Sequence, residues 1–194
     1  MGKAENTKKK IMQVTKELIL EKGYAAVTMN DVNLKTGIST GGLYYHYHSV
    51  EAILLDIIKK ETGDVWQGLK VNNELYDLLK SIEMYFDGEK KEMLDFTNTL
   101  SAILYEYYFS HPYRSRQNIL NTDYKETFNK MYGLLSSFIL DEKERTNLCN
   151  HIFVTLHGLN FLAMAGEITE ECIDYEFDSI LSKIFELSNR KRVR

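Results

Sequence analysis

Residues Thr28 to Glu51, TMNDVNLKTGISTGGLYYHYHSVE, carry dense helix punctuation, which sets the ends of two short helices joined by a tight turn. Thr28 and Asp31 have the T-x-x-D spacing of a capping box, Gly37 is placed to end the first helix, and Ser39 is placed to cap the second. Between these caps Val32 and Leu43 are the inward-facing apolar positions. Thr40, Gly41, Tyr44, Tyr45 and His46 give the second helix a polar and aromatic outer face. A helix that serves only to pack seldom exposes so much.

The remainder of the chain repeats apolar residues every three or four positions, and a single proline, Pro112, interrupts it. The expected fold is all-α, with about nine helices. At 194 residues and 44% hydrophobic the chain can build a real core. Cys149 and Cys172 show no pairing pattern, and no apolar segment approaches the roughly 18 residues of a membrane span, so a cytoplasmic protein is expected. The net charge of −4 hides an asymmetry: residues 1–49 hold seven lysines against four acidic residues, hence +3, and the rest of the chain is −7. The basic part is the part that holds the two capped helices.

Helix one is expected over 7–22, with Gly23 as its stop, and a fourth helix opens at Ser49 and repeats Val50, Ile53, Leu54, Ile57 and Ile58 as a buried stripe. Further helices are read at 73–87, 90–110, 113–139, 142–166 and 170–189, with Asp141 as an N-cap and Gly166 as a stop. No Pro- or Ser-rich linker separates residues 50 and 75. The chain therefore divides into a region of residues 1–60 and a mechanically coupled region of residues 61–194.

In a helix-turn-helix the second helix enters the major groove of DNA with its N-terminal residues at base edges. Here those residues are Ser39, Thr40, Gly41 and Gly42. Thr40 can meet a base edge, and the glycines, which cost roughly 1 kcal/mol each relative to alanine, let backbone and DNA approach. Tyr44, Tyr45 and His46 supply donors for phosphate oxygens, and Thr28 with the first amides of its helix makes another phosphate site. Lys8, Lys9 and Lys10 could grip flanking phosphate or be no more than a solvated face. An i, i+2 spacing puts His46 and His48 on different faces, so no metal is expected there.

Residues 7–55 resemble the DNA-binding domain of the TetR family of transcriptional regulators. The family pattern T-x-x-D-I-A-x-x-A-G-V-S-x-G-x-L-Y-x-H-F-x-S-K-E-x-L is matched by Thr28, Asp31, Val32, Gly37, Ile38, Ser39, Gly41, Leu43, Tyr44, His46, Tyr47, Ser49, Glu51 and Ile53 or Leu54. Asn33 and Thr36 stand where the pattern has small alanines, and Val50 replaces a lysine that meets a phosphate in relatives. The resemblance implies a ligand-responsive regulator, a repressor that binds a palindromic operator as a homodimer. Its effector, bound among helices five to seven, would shift helix four and change the spacing of the two reading heads.

In the second region 14 of the 23 aromatic residues fall between Trp66 and Phe138. Trp66, Tyr85, Phe86, Phe96, Tyr105, Glu106, Tyr108, Phe109, Phe128 and Tyr132 are the candidate lining of a small-molecule pocket, though the same residues describe an ordinary helical core. Glu83 or Glu106 among aromatics would favour an apolar or cationic effector. On the last two helices Leu148, Ile152, Leu156 and Leu159, and Phe177, Ile180, Leu181 and Ile184, form long apolar stripes, and the resemblance implies that these helices pair with a symmetry copy. Cys149, His151 and His157 lack the spacing of a metal site, and no cofactor is expected. The rival readings are a small helical enzyme, for which no catalytic motif stands in the chain, and a helical adaptor that binds a protein through residues 28–51.

Overall fold

The computed structural model describes residues 2–68, 74–111, 125 and 127–190, and of residues 3 and 62–68 the backbone alone. The fold is all-α. Nine helices stand among the described residues: α1 (Lys3–Lys22), α2 (Met29–Thr36), α3 (Thr40–His46), α4 (Val50–Gly68), α5 (Leu75–Leu94), α6 (Leu100–Ser110), α7 (127–135), α8 (Glu142–Ala165) and α9 (Glu170–Asn189). Short 3-10 turns occupy Tyr24–Ala26 and Phe96–Asn98.

The chain forms two compact units. The first holds residues 1–64 and 98–111, and the second holds 65–97 and 112–194. The first unit takes α4 as far as residue 64 and also includes α6. In that unit Ile11, Ile19, Val32, Leu43, Ile53 and Leu54 are at most 2% exposed, which is the burial that the periodicity of α1 and α4 requires.

The α2 cap has both halves of the box. Asp31 N–H donates to Thr28 Oγ1 at 3.2 Å, and Thr28 N–H and hydroxyl donate to Asp31 Oδ2 at 2.8 and 2.6 Å. Lys22 adds an ion pair at 2.8 Å, and this contact first, then the Thr28 hydrogen bonds, hold the Asp31 carboxyl down at about 2.

In the second unit α5, α7, α8 and α9 share one core, in which Phe86 stacks on Phe177 at 4.2 Å. The Lys90 ammonium joins α5 to α9 through Glu170 and Asp174. Asp141 caps α8, accepting from Glu144 N–H at 2.9 Å, and Gly166 ends it in the left-handed conformation at φ +73°. Arg145 is buried, donating to the Ile139 carbonyl and the Tyr132 hydroxyl, so it ties the exit of α7 to α8.

Several expectations need correction. α5 runs through Gly88 to Leu94, and the break falls at Asp95–Thr99, where Thr99 caps α6 by accepting from Ala102 N–H. A side chain at Gly88 would meet open space, so that glycine marks no turn. Of the helix read at 113–139, residues 113–124 and 126 lie outside the described residues. Contrary to the expectation that no segment comes near a membrane span, α8 is long and apolar enough for one by length and composition. Burial of Leu148, Ile152, Leu156 and Leu159 in the core of its own unit accounts for much of that apolar character.

The Asp31 carboxyl is held below its unfolded value of about 4, so its contribution to stability is complete above that value and is lost as pH falls toward about 2. Thermal unfolding of wild type and Asp31→Asn should differ by a constant margin above about pH 5 and converge between about pH 4 and 2. A margin that does not change with pH would contradict this role.

Candidate nucleic-acid interface

The turn between α2 and α3 is held by side chains as well as by backbone. Gly37 takes the left-handed conformation at φ +66°, and its amide donates to the Asn33 carbonyl at 3.0 Å. The Asn33 side-chain amide donates to the Ile38 carbonyl. Thr36 donates its hydroxyl to the Val32 carbonyl at 2.7 Å and accepts from Ile38 N–H at 3.4 Å. The two departures from small alanine are therefore turn fasteners, a use of polar side chains near a helix end that spacing alone did not reveal.

α3 begins at its Ser39 cap, whose hydroxyl accepts from Gly42 N–H at 3.2 Å. Leu43 and Tyr47 face inward and are 0% and 4% exposed. Tyr47 donates to Asp56 Oδ2 at 2.9 Å, and burial first, then this carboxylate, raises its phenol above the ordinary range. The Lys8 ammonium lies 5.1 Å over the same ring and 3.5 Å from Asp56.

Thr40 and Gly41 are exposed on the outer face, with Tyr44 44% and Tyr45 82% exposed. The Tyr45 and His46 rings meet edge to face at 5.1 Å, and His46 is half-buried. The two glycines differ. A side chain at Gly41 would meet nothing within 4 Å, whereas one at Gly42 would lie 3.1 Å from Ile38 Cγ2 and from Ser39 Oγ. Gly42 is accordingly explained by packing inside the protein, and Gly41 has no such internal reason to lack a side chain.

Charge on this unit is largely neutralised from within. Lys8 pairs with Asp56, Lys9 with Glu5, Lys16 with Glu61, Lys22 with Asp31, and Lys35 with Glu17 and Glu21. Thr28 is exposed, but its hydroxyl proton is committed to Asp31. Val50 is 9% exposed and packs inward, while Ser49 caps α4 by accepting from Ala52 N–H.

The residues expected to line an effector pocket are divided between the two units. Tyr105, Glu106, Tyr108 and Phe109 lie on α6 in the first unit; Tyr85, Phe86, Phe96, Phe128 and Tyr132 lie in the second. Phe86 is core, and Phe128 stacks on Tyr132 at 5.9 Å. The Trp66 side chain lies outside the described residues, and Glu83 is exposed. Sequence reasoning passed over Glu89, a partly buried residue of α5. Burial first, then the charge of Glu92, pushes its carboxyl up to about 7, against a hydrogen bond from Tyr85. A cavity of about 310 Å³ between α8 and α9 is lined by Glu144, Asn147, Leu148, His151, Lys183 and Leu187, and by none of the expected aromatics.

The subunit-interface expectation is also corrected. Leu148, Ile152, Leu156, Leu159, Phe177, Ile180 and Ile184 are buried in the core of their own unit, and Leu181 packs partly buried against it. Periodicity identified a buried face and did not say what covers it. The exposed apolar residues of α8 and α9 are others: Val154, Phe161, Leu162, Met164, Tyr175 and Phe185. Among the described residues no group of three His, Cys, Asp or Glu side chains is placed to hold a metal.

Comparison with known proteins agrees with this geometry. Residues 11–57 match the family model of bacterial regulatory proteins of the tetR family. The helix-turn-helix transcriptional regulator QacR of Staphylococcus aureus is 28% identical over 138 residues, which span 66% of this chain and 69% of QacR. Two solved structures share the fold: a transcriptional regulator from Aquifex aeolicus VF5, 19% identical with a TM-score of 0.66 over 93% of this chain and 98% of that one, and SmeT in complex with triclosan, 14% identical with a TM-score of 0.69 over 91% and 90%. Residues 11–57 are a helix-turn-helix domain of the tetR family of bacterial regulatory proteins, and the chain as a whole is similar to transcriptional regulators of that family.

Proposed function

We propose that this regulator is a cytoplasmic homodimeric repressor that binds a palindromic operator and is released from it by a small molecule. The observation that carries the operator reading is the outer face of α3, where Thr40, Gly41, Tyr44 and Tyr45 stand exposed and a side chain at Gly41 would meet nothing within 4 Å. Thr40 and Gly41 are the base-proximal positions. Tyr44, Tyr45 and His46 anchor phosphates through neutral or weakly basic donors, with Thr28 contributing through its cap and Ser39 and Gly42 through the shape of the turn.

Dimerisation is supported by the second apolar stripe of α8 and α9. Val154 is 72% exposed, Phe161 55%, Tyr175 73% and Phe185 54%. A two-fold axis through such a face places two α3 helices on symmetric half-sites, one helical turn of DNA or a multiple apart.

The effector is an apolar molecule carrying a cationic group, bound in the second unit. SmeT, which shares the fold, is complexed with triclosan. Glu89 is a partly buried carboxyl of the second unit that such a group could meet, pushed up to about 7 by burial first and then by the charge of Glu92. A bound cation would favour the ionised form.

Gly41→Ala should leave the melting temperature unchanged or higher, since alanine favours a helix by roughly 1 kcal/mol, while fluorescence anisotropy shows affinity for the DNA upstream of its own coding region falling about tenfold or more. Unchanged affinity would refute the placement of Gly41 against DNA. Tetraphenylphosphonium, as a lipophilic cation, should raise the melting temperature of wild type and weaken its DNA binding, and should do neither to Glu89→Gln. Equal responses in both proteins would remove Glu89 from the effector site.

A further inference from the structure

Ile38 stands between the left-handed Gly37 and the Ser39 cap, and side chains of α2 engage both of its backbone polar groups. The Asn33 side-chain amide donates to the Ile38 carbonyl oxygen, and the Ile38 N–H donates to the Thr36 hydroxyl at 3.4 Å. Thr36 is itself fixed, because its hydroxyl donates to the Val32 carbonyl at 2.7 Å and its side chain is 3% exposed. With N–H and C=O both held, the two soft dihedrals of Ile38 are confined, and these set how the chain enters α3.

The effect reaches the recognition end of α3 in two short steps. The Ile38 carbonyl shares a planar peptide group with the Ser39 amide, so holding it orients the cap residue. Ser39 in turn accepts from Gly42 N–H through its hydroxyl at 3.2 Å and from Leu43 N–H through its carbonyl at 2.9 Å. The Ile38 side chain adds a spacing constraint, since its Cγ2 lies 3.1 Å from where a side chain at Gly42 would begin. Thr40, Gly41 and Gly42 are the first three residues of α3, so the base-proximal turn is the part most directly held.

Alanine at positions 33 and 36, as in the TetR pattern, makes neither bond to Ile38. A turn held by backbone alone leaves α3 a wider range of angles. Contacts to phosphate through long side chains tolerate that range, whereas hydrogen bonds to base edges weaken steeply when misaligned. Loss of the two fasteners therefore acts on discrimination between sequences and spares the affinity common to all DNA.

We propose that Asn33 and Thr36 are positioning residues that determine sequence specificity: by pinning Ile38 they preset the angle of α3, and they do so from within the protein. The proposal rests on the reading of α3 as the helix that meets DNA.

The test compares the full-length protein with Asn33→Ala and with Thr36→Val, which keeps the shape of the buried side chain and removes its hydroxyl. Amide hydrogen exchange in the free protein reads the turn. Fluorescence anisotropy reads Kd for a duplex that wild type selects from a random pool and for an unrelated duplex of equal length. Each substitution should speed exchange across 37–43 about fivefold and leave that of 50–57 within about twofold. Affinity for the selected duplex should fall about fivefold in each variant and about tenfold or more in the double variant, while affinity for the unrelated duplex stays within about twofold.

Exchange in 37–43 equal to that of wild type would overturn the proposal, because the side chains would then not hold the turn. Equal loss of affinity for both duplexes would overturn it too, as the mark of a generally weakened fold. If wild type selects no duplex, the DNA-reading assignment fails and the proposal with it; if wild type selects one and both variants keep its affinity, the proposal alone fails.

Discussion

The constraint on which this structure depends is the shortness of α3. Seven residues cannot form a stable helix in water, because the first turn fixes several residues for a single hydrogen bond. Its direction must therefore come from outside. Leu43 and Tyr47 supply it by burial, Ser39 by satisfying an amide at the start, and the Tyr47–Asp56 hydrogen bond by anchoring the end to α4. Asn33 and Thr36 add two fasteners on Ile38, whose side chain occupies the space that Gly42 leaves open.

With the inner face so committed, the outer face of α3 is left exposed, and it is mostly uncharged. Five lysines of the first 35 residues are paired with carboxylates in the free protein, and Val50 packs inward where the TetR pattern has a lysine. In the proposed complex, phosphate contact falls to tyrosine hydroxyls, a histidine and backbone amides, which would fix register on DNA without a large release of counterions. In that same proposal, discrimination between bases is assigned to Thr40 and the open Gly41 surface.

The caps, the glycine stop and the inward positions Val32 and Leu43 were legible in the sequence because each is a local rule with its own residue signature. Asp141, Gly166 and the stripe of α4 were legible for the same reason. What failed needed knowledge of partners. The break read between residues 87 and 90 falls instead at Asp95–Thr99, where the Thr99 cap sets the boundary. The regular stripes of α8 and α9 cover their own core, and the exposed stripe beside them is less periodic. The aromatic run of α6 resembled a pocket wall, but Tyr107 is buried against the first unit with its hydroxyl on Glu51, a contact 56 positions away in sequence that no local pattern encodes.

The central claim is that the exposed face of α3, presented twice by a symmetric dimer, reads DNA sequence. Selection of duplexes from a randomised pool by the purified full-length protein at moderate salt tests it most directly. The account predicts enrichment of a site with two inverted half-sites whose centres lie about one helical turn, or a multiple of it, apart. Recovery of DNA with no enriched sequence, or of a single half-site without two-fold symmetry, would contradict it.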